Sequence, residues 1–343
     1  MKSLLSSLLI AYLVLLLLVW AAVQSDTGSS WWVSLFLFSP RWALGLPWLP
    51  LFLLTLRLRP RLAGWYVVHL LILLFLLLDL RLPSFTTDTA SATGPRLRLI
   101  TFNLGEGPIG VEQLVDLVKR ESAQVLVVQE CTPSIGQQIF QQLGWEFQQR
   151  AGLAIGSNLP QRSMEIVSQK MVAGYPAIVA VAIAVQMHQG PAAADQALDQ
   201  ADATAPWVQI VGIHFPTFRP AFELAQRFDY AGAAEFRNLA PTYREYASQT
   251  EAVISSEEKP VVVAGDFNVP VESDFYRDYW SAFQNALSQR GWGWGYTKYT
   301  RLHGVRIDHV LADAQWSIHT ARVGPDLGGD HRPVLVELQL KSP

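Results

Sequence analysis

Residues 3–23, SLLSSLLIAYLVLLLLVWAAV, contain no charged side chain. At 1.5 Å per residue such a run is long enough to cross the roughly 30 Å hydrocarbon core of a bilayer as a helix. In that solvent every backbone polar group must be satisfied within the segment, so few other structures are open to it. A cleaved signal peptide is the competing reading, but its apolar core is shorter and no further spans follow it. Here two more apolar stretches follow, 42–56 (WALGLPWLPLFLLTL) and 64–80 (GWYVVHLLILLFLLLDL). Residues 1–82 therefore read as a membrane anchor of three spans, with the bilayer as a partner.

Pro47 and Pro50 interrupt the middle stretch, which is either kinked or begins as early as Trp31. Trp31, Trp32, Trp42, Trp65 and Tyr66 stand near segment ends and suit an interfacial aromatic belt. Arg57, Arg59 and Arg61 share the short loop between the second and third stretches, which the positive-inside rule places in the cytoplasm together with Lys2. Three spans then deliver residue 81 onward to the extracytoplasmic side; two would reverse it. His69 and Asp79 lie within or at the end of the third span and read as packed or boundary groups rather than functional ones. Residues 83–95, PSFTTDTASATGP, read as a flexible polar linker.

From residue 96 the material changes. Residues 1–95 carry six Lys/Arg against three Asp/Glu, and residues 96–343 carry twenty against twenty-six. An acidic soluble part lacks the broad basic footprint with which proteins grip long nucleic acid. Cys131 is the only cysteine, so neither an intrachain disulfide nor a multi-cysteine metal site can form. It reads as a small residue at a strand end.

Apolar runs predict strands at 97–103, 124–130, 151–156, 176–187, 207–214, 260–265, 305–312, 316–323 and 333–339. Helical periodicity marks 110–121, 134–143, 220–238, 241–256 and 274–289, with Pro241 opening the fourth. Neighbouring strands between 151 and 214 lack helices, so hairpins accompany βαβ units. A mixed sheet, or two sheets packed face to face with outer helices, fits this order. Residues 189–206, rich in Ala, Asp and Gln, read as a disordered insertion.

Several of these strands end in groups that carry chemistry. Val261-Val262-Val263-Ala264-Gly265-Asp266-Phe267-Asn268 is a buried strand followed by a carboxylate and an amide two residues apart. If the strand continues, both project to one face; a turn in which they bond only local backbone is the alternative. The run at 99–103 ends in Asn103, that at 125–130 in Glu130, and that at 211–214 in His214. Arg306-Ile307-Asp308-His309 and Gly329-Asp330-His331-Arg332 each pair Asp with His. One such group is usually structural; six in one domain point to a site. His309 follows Asp308 directly, faces the other side of its strand and reads as packing.

This ordered set resembles the endonuclease/exonuclease/phosphatase superfamily, which includes pancreatic-type deoxyribonucleases, abasic-site endonucleases, inositol polyphosphate phosphatases and neutral sphingomyelinases. The resemblance spans about 96–343 and rests on TFN at 101–103, QE at 129–130, GLAIGS at 152–157, GDFN at 265–268, RIDH at 306–309 and GDHRPV at 329–334. Gly329 departs from the commoner serine, and the 189–206 insertion is not a family feature.

The resemblance implies an α/β fold, a four-layer α-β-β-α sandwich. It also implies a Mg²⁺ site, or one for Mn²⁺ or Ca²⁺, with Glu130 as principal ligand and Asn103 nearby; hard oxygen donors suit these ions. Asp266 and Asn268 would position the attacking water and the scissile phosphate. His331 would act as general base or stabilise the phosphorane, oriented by Asp330, and His214 would donate to a phosphate oxygen. Asp308 would bind a second metal or hold His331 in place. The glycine-rich segment 291–297 contributes Trp292, Trp294 and Tyr296 as candidate substrate contacts, against the plainer reading that they pack on the domain.

The expectation is a membrane-tethered phosphoesterase acting on a lipid headgroup or small phosphoester. An extracytoplasmic nuclease acting on DNA is the runner-up, and a non-catalytic binding module is the third reading. No protein partner is evident from the sequence.

Overall fold

The structure is a computed structural model that describes residues 2–25, 30–82, 94–105, 107, 109–172, 175–187, 205–227 and 229–341. Most of the expected 83–95 linker and of the 189–206 insertion lies outside the described residues.

In the N-terminal part the helices are α1 (Lys2–Ser25), α2 (Trp31–Leu37), α3 (Trp48–Leu58) and α4 (Trp65–Leu71), the last continuing as a wider turn over Ile72–Leu77. Ser3–Ser25 and Pro60–Leu77 are long and apolar enough to cross a membrane. A third span exists if α2 and the Arg41–Leu58 segment, bent by 83° at their junction, count as one. The Trp48 indole donates to the Tyr66 carbonyl, Thr55 meets the Tyr66 hydroxyl at 2.9 Å, and His69 Nε2 lies 3.2 Å from the Leu9 carbonyl. These contacts bind α1, α3 and α4 into one bundle. Its outward leucines stay exposed, among them Leu4, Leu18, Leu49 and Leu53. An apolar surface this continuous is compatible with a membrane environment.

The remainder begins with β1 (Arg96–Asn103), α5 (Val111–Arg120), β2 (Val125–Gln129), α6 (Pro133–Leu143), β3 (Glu146–Arg150), β4 (Leu153–Ser157), β5 (Glu165–Val172), β6 (Tyr175–Gln186) and β7 (Trp207–His214). It continues with α7 (Arg219–Gln226), α8 (Ala231–Ser255), β8 (Val261–Asp266), α9 (Asp274–Trp280), β9 (Gln284–Asn285) and α10 (Ala286–Arg290). The last strands are β10 (Lys298–Tyr299), β11 (Gly304–Val305), β12 (Asp308–Ala312), β13 (Trp316–Val323) and β14 (Val334–Leu340). Two six-stranded sheets form, ordered β13-β14-β1-β2-β4-β3 and β5-β6-β7-β8-β12-β9.

The central strands are apolar on both faces because both faces are covered. Leu99, Val125, Val127 and Ile155 of the first sheet meet Ile183, Ile210, Val262 and Val310 of the second in one core. Ile100, Phe102, Leu126 and Val128 turn the other way onto α5 and α6. Val211, Ile213 and Val263 turn onto an aromatic cluster built by Phe218, Phe236, Tyr243 and Phe275. The result is the expected α-β-β-α sandwich.

Three readings change. Pro241 lies inside α8 rather than opening a helix. Phe236 and Tyr243, on either side of it, are both buried in the aromatic cluster, and that packing outweighs the lost backbone bond. The helix expected over 274–289 divides, because Asn285 pairs with Leu311 and its side chain caps α10 through Ser288 N. The strand expected over 305–312 also breaks: Thr297 Oγ1 accepts from both Ile307 N and Asp308 N, so the pairing with β8 starts only at Asp308. Two edge strands, β3 and β5, were not anticipated; EFQQR has neither the apolar run nor the alternation that marks a half-buried strand.

The anchor is docked on the sandwich. Trp31, Leu35 and Phe38 join the aromatic cluster, and Phe38 packs on Phe222 with ring centroids 4.8 Å apart. Arg41 pairs with Glu272 at 2.6 Å, and Asp79 with Arg306 at 2.7 Å and Arg81 at 2.6 Å. Arg81 and Gly293 exchange both backbone hydrogen bonds. Burial pushes the Glu272 carboxyl up, but Arg41 and Arg306 outweigh it and hold its pKa down at about 2.

At the end of β8, Gly265 has φ +148°, and a Cβ there would lie 2.0 Å from the Ile213 carbonyl oxygen. Gly265→Ala should therefore cost about 3 kcal/mol or more. Thermal unfolding of the purified protein should show Tm lowered by about 6–12 °C.

Candidate active site

The strand register assembles the site. Strand β7 runs parallel to β8 and β12 antiparallel to it, which places His214, Asp266 and Asp308 side by side at one sheet edge. In the facing sheet β1 and β2 are parallel with Asn103 opposite Gln129, so Asn103 and Glu130 emerge at the same end. His331 arrives from the loop before β14.

Asn103 Nδ2 donates to Glu130 Oε1 at 3.1 Å and to Asp266 Oδ2 at 2.9 Å, joining the two sheets across the site. Its carbonyl oxygen accepts from Gly105 N at 2.8 Å. Glu130 is non-glycine backbone at φ +53°, an unfavourable conformation that turns the carboxylate out of the strand. His214 Nε2, half-buried, stands 3.7 Å from Glu130 Oε1 and 4.0 Å from Asp266 Oδ2.

Strand β8 stops at Asp266, so the pleat does not bring Asn268 to the same face. Instead Asn268, at φ +53°, donates its backbone N–H to Asp266 Oδ1 at 2.8 Å in a tight turn. Its side-chain nitrogen donates to the Phe215 carbonyl at 2.8 Å. That bond uses one of the two amide N–H donors and leaves the other for a phosphate oxygen.

The orientation of His331 also differs from expectation. Its Nδ1 meets Asp308 Oδ2 at 2.9 Å, whereas Asp330 Oδ1 is 3.9 Å from Nε2 and, though buried, has no hydrogen-bond partner among the described residues. Asp308, distant in sequence but opposite Asp266 in the sheet, is thus the orienting carboxylate. Asp330 instead holds Lys298, whose Nζ lies 2.7 Å from Asp330 Oδ2 and 2.8 Å from His331 Nε2. Lys298 was not singled out from the sequence; one lysine in an aromatic-rich loop carries no pattern.

Burial pushes the His331 imidazole down, but Asp308 and Asp266 more than offset it and hold its pKa up at about 9. The Lys298 contact acts the other way, because an ammonium at 2.8 Å makes Nε2 an acceptor. That contact is compatible with an accepting Nε2 and a proton on Nδ1, but the two carboxylates outweigh the repulsion from Lys298 and favour the charged imidazolium. Protonation at Nε2 requires Lys298 to swing back to Asp330 alone. Burial and neighbouring Asp308 hold Asp266 above the usual carboxylate range, with His331 and His214 offsetting part of this. Asp308 is held below that range, because His331 outweighs its burial.

His309 packs as expected. It is fully buried, bonded to the Val269 carbonyl at 3.0 Å and edge-on to Phe267, and burial lowers its pKa to about 4. Cys131 is buried, which pushes its thiol up to about 12 and leaves it inert as a nucleophile.

The donor set fits a hard divalent cation. Glu130 and Asp266 flank the Asn103 amide, and Asp266, Asp308 and His331 offer ligand atoms within 4.8 Å of one another. Asp266, expected to position water, is common to both groups. Asp308 is engaged by His331 rather than by Glu130 or Asn103. The carboxylate oxygens suit Mg²⁺ better than a nitrogen- or sulfur-seeking metal, and the Asn103 amide, whose N–H donors face both carboxylates, would have to turn to offer its oxygen.

Trp294 and Tyr296 stack with centroids 6.2 Å apart, and Tyr296 meets Tyr299 edge-on. Trp292 is 76% exposed. These rings lie beside the Lys298 strand rather than over the carboxylates.

A two-sheet sandwich whose strand ends converge on carboxylates, an amide and two histidines defines a class of phosphoester-hydrolysing fold. The Endonuclease/Exonuclease/phosphatase family model matches residues 100–331, and the chain belongs to that family. Among solved structures it is similar to the 3′ phosphatase NExo from Neisseria bound to product DNA hairpin. That pair is 14% identical, covers 70% of this chain and 98% of the other, and has a TM-score of 0.50. An endonuclease/exonuclease/phosphatase family protein from Bacteroides thetaiotaomicron is 13% identical over 73% of this chain and 99% of its own, with a TM-score of 0.46. The human Nocturnin catalytic domain with bound sulfate is 14% identical over 72% and 96%, with a TM-score of 0.44. At these identities the likeness is one of fold. No curated protein matches the chain significantly.

Asp308→Asn removes the main attraction on the His331 imidazole. In protein kept metal-free with EDTA, the His331 titration midpoint followed by NMR should fall from about 9 by about one unit or more.

Proposed function

We propose that the protein is a membrane-anchored, divalent-cation-dependent hydrolase of phosphoesters, with its catalytic face on the extracytoplasmic side. The observation that carries this reading is the burial of Asp266 between Asn103, Asp308 and His331 at the strand ends, next to exposed Glu130 and His214. Such a site concentrates negative charge for a cation and presents imidazole and ammonium donors beside it.

In-line attack on a phosphoester gathers charge on the non-bridging oxygens, so donors aimed there stabilise the transition state more than the ground state. A cation held by Glu130 and Asp266, with Asn103 alongside, would supply Lewis-acid polarisation of those oxygens. His331 in its neutral form can take a proton from the attacking water at Nε2 once Lys298 moves off. Asp308 then stabilises the imidazolium that forms. Lys298, steadied by Asp330, and His214 are placed to donate to phosphate oxygens.

The anchor supports a location at the membrane. Tyr12 OH donates to the Leu44 carbonyl, and Leu16 packs with Leu73 and Leu77, so α1 and α4 rise together while α3 returns between them. Arg57, Arg59 and Arg61 then lie at the end of the bundle away from the sandwich, where the positive-inside rule puts the cytoplasm.

Hydrolysis of a chromogenic phosphodiester should require Mg²⁺ and stop with EDTA. Asp266→Asn and His331→Ala should each lower kcat/KM by about a hundred- to thousand-fold, and undiminished rates would refute the assignment. Plasmid DNA assayed at physiological salt separates the nuclease reading; nicking of DNA without activity on lipid headgroups would favour it. For the topology, buried Cys131 gives little background to maleimide labelling. In intact cells, Glu258→Cys should label with an impermeant maleimide and Arg61→Cys should not; the reverse pattern would place the catalytic domain inside.

A further inference from the structure

Between the anchor and the sandwich lies a cavity of about 400 Å³ whose walls include Trp42, Leu78, Trp294, Tyr296, Tyr299 and Leu302. Its volume lies within the range of small-molecule sites. Two of these residues come from the segments that pack as the membrane bundle, and four from the loops around β10 and β11.

The walls are fixed rather than loosely apposed. Trp42 Nε1 donates to the Leu302 carbonyl at 3.0 Å, and His303 Nε2 lies 2.7 Å from the Phe38 carbonyl. The Arg81–Gly293 backbone pair and the Asp79–Arg306 and Arg41–Glu272 ion pairs also join the N-terminal helices to the sandwich. The groove is therefore preformed, with large apolar groups left open along it: Leu302 is 70% exposed, Trp42 45% and Trp294 43%.

Tyr299 links the groove wall to the candidate site. Tyr299 N donates to the Asp330 carbonyl at 2.7 Å, and the preceding residue is Lys298, which touches His331. The Arg332 guanidinium lies over the Tyr299 ring, 4.9 Å from its centroid, and Arg301 lines the same wall. Leu78, which also lines the groove, stands where α4 leaves the apolar bundle and the chain first carries charge at Asp79 and Arg81. Cations beside Tyr299 and apolar groups at Trp42 and Leu78 match a molecule with a phosphate on an apolar tail.

We infer that this groove takes an acyl chain of a membrane phospholipid whose phosphoester is presented to Lys298 and His331. The inference rests on the phosphoesterase reading of the site and names its substrate class. Continuity of Trp42 and Leu78 with the lipid-facing bundle is what selects a lipid tail over a nucleobase, which could also stack on these rings.

The test uses the full chain in phosphatidylcholine vesicles containing phosphatidic acid with a diazirine at the end of one acyl chain. After irradiation, peptide mapping should find label in 294–304 as well as on the outer faces of the bundle. Leu302→Asp should reduce the groove label about tenfold. Label confined to the bundle, or groove label competed by adenosine monophosphate and not by unlabelled phosphatidic acid, overturns the inference. A second readout is the ratio of kcat/KM for long-chain over dibutanoyl phosphatidic acid, which Leu302→Asp should lower about tenfold. An equal loss on both substrates means a merely structural role and overturns it. Groove label in a protein that hydrolyses neither substrate nor the chromogenic diester supports the groove and refutes the hydrolase reading instead.

Discussion

Burying the Asp266 carboxylate at the end of β8 is the constraint on which the rest of the site depends. A buried charge is costly unless it is paired and hydrogen-bonded. The neighbouring elements contribute groups that meet this cost: β1 the Asn103 amide, β7 His214, the loop before β14 His331, and the following turn the Asn268 N–H. The compensation is incomplete, since burial and Asp308 still hold Asp266 above the usual carboxylate range. That residual excess of negative charge is what a divalent cation is suited to relieve, and binding it there would stabilise the fold and the site together.

The same logic extends outward to the anchor. Arg306 stands two residues before Asp308, and Glu272 four residues after Asn268, so the two loops that frame Asp266 each carry a charge to the outside of the site. Those charges are met by Asp79 and Arg41 from the membrane segment. Removing one partner of such a pair leaves an uncompensated buried charge, typically a loss of about 3–5 kcal/mol. The N-terminal helices are accordingly part of the structure that positions β12 and the β8 turn, and a sandwich cut free of them would leave Arg306 and Glu272 with only each other's charge.

The sandwich was legible because its strands bury both faces and so read as apolar runs ending abruptly in Asn103, Glu130, His214 and Asp266. The motif order then implied the topology. What escaped was of two kinds. Edge strands β3 and β5 carry polar residues that periodicity does not mark, and the Pro241 helix was decided by tertiary packing on either side of the proline. The second kind is pairing across long sequence distances. Asp330 adjoins His331 in the chain, which favoured it as the orienting carboxylate; the sheet register gives that place to Asp308, for which holding His331 was one of two expected roles. Lys298, Arg41 and Asp79 have no local signature at all; their meaning comes only from the groups that folding places against them.

The position of Lys298 bears on how the site chooses between resting and reacting states. Against Nε2 it opposes the charging of His331; drawn to Asp330 alone it leaves the imidazole to be charged more fully by Asp308 and Asp266. An incoming phosphate offers Lys298 a third partner, one that competes with His331 Nε2 for the ammonium while leaving the Asp330 bond in place. Substrate arrival would then free Nε2 at the moment a base is needed.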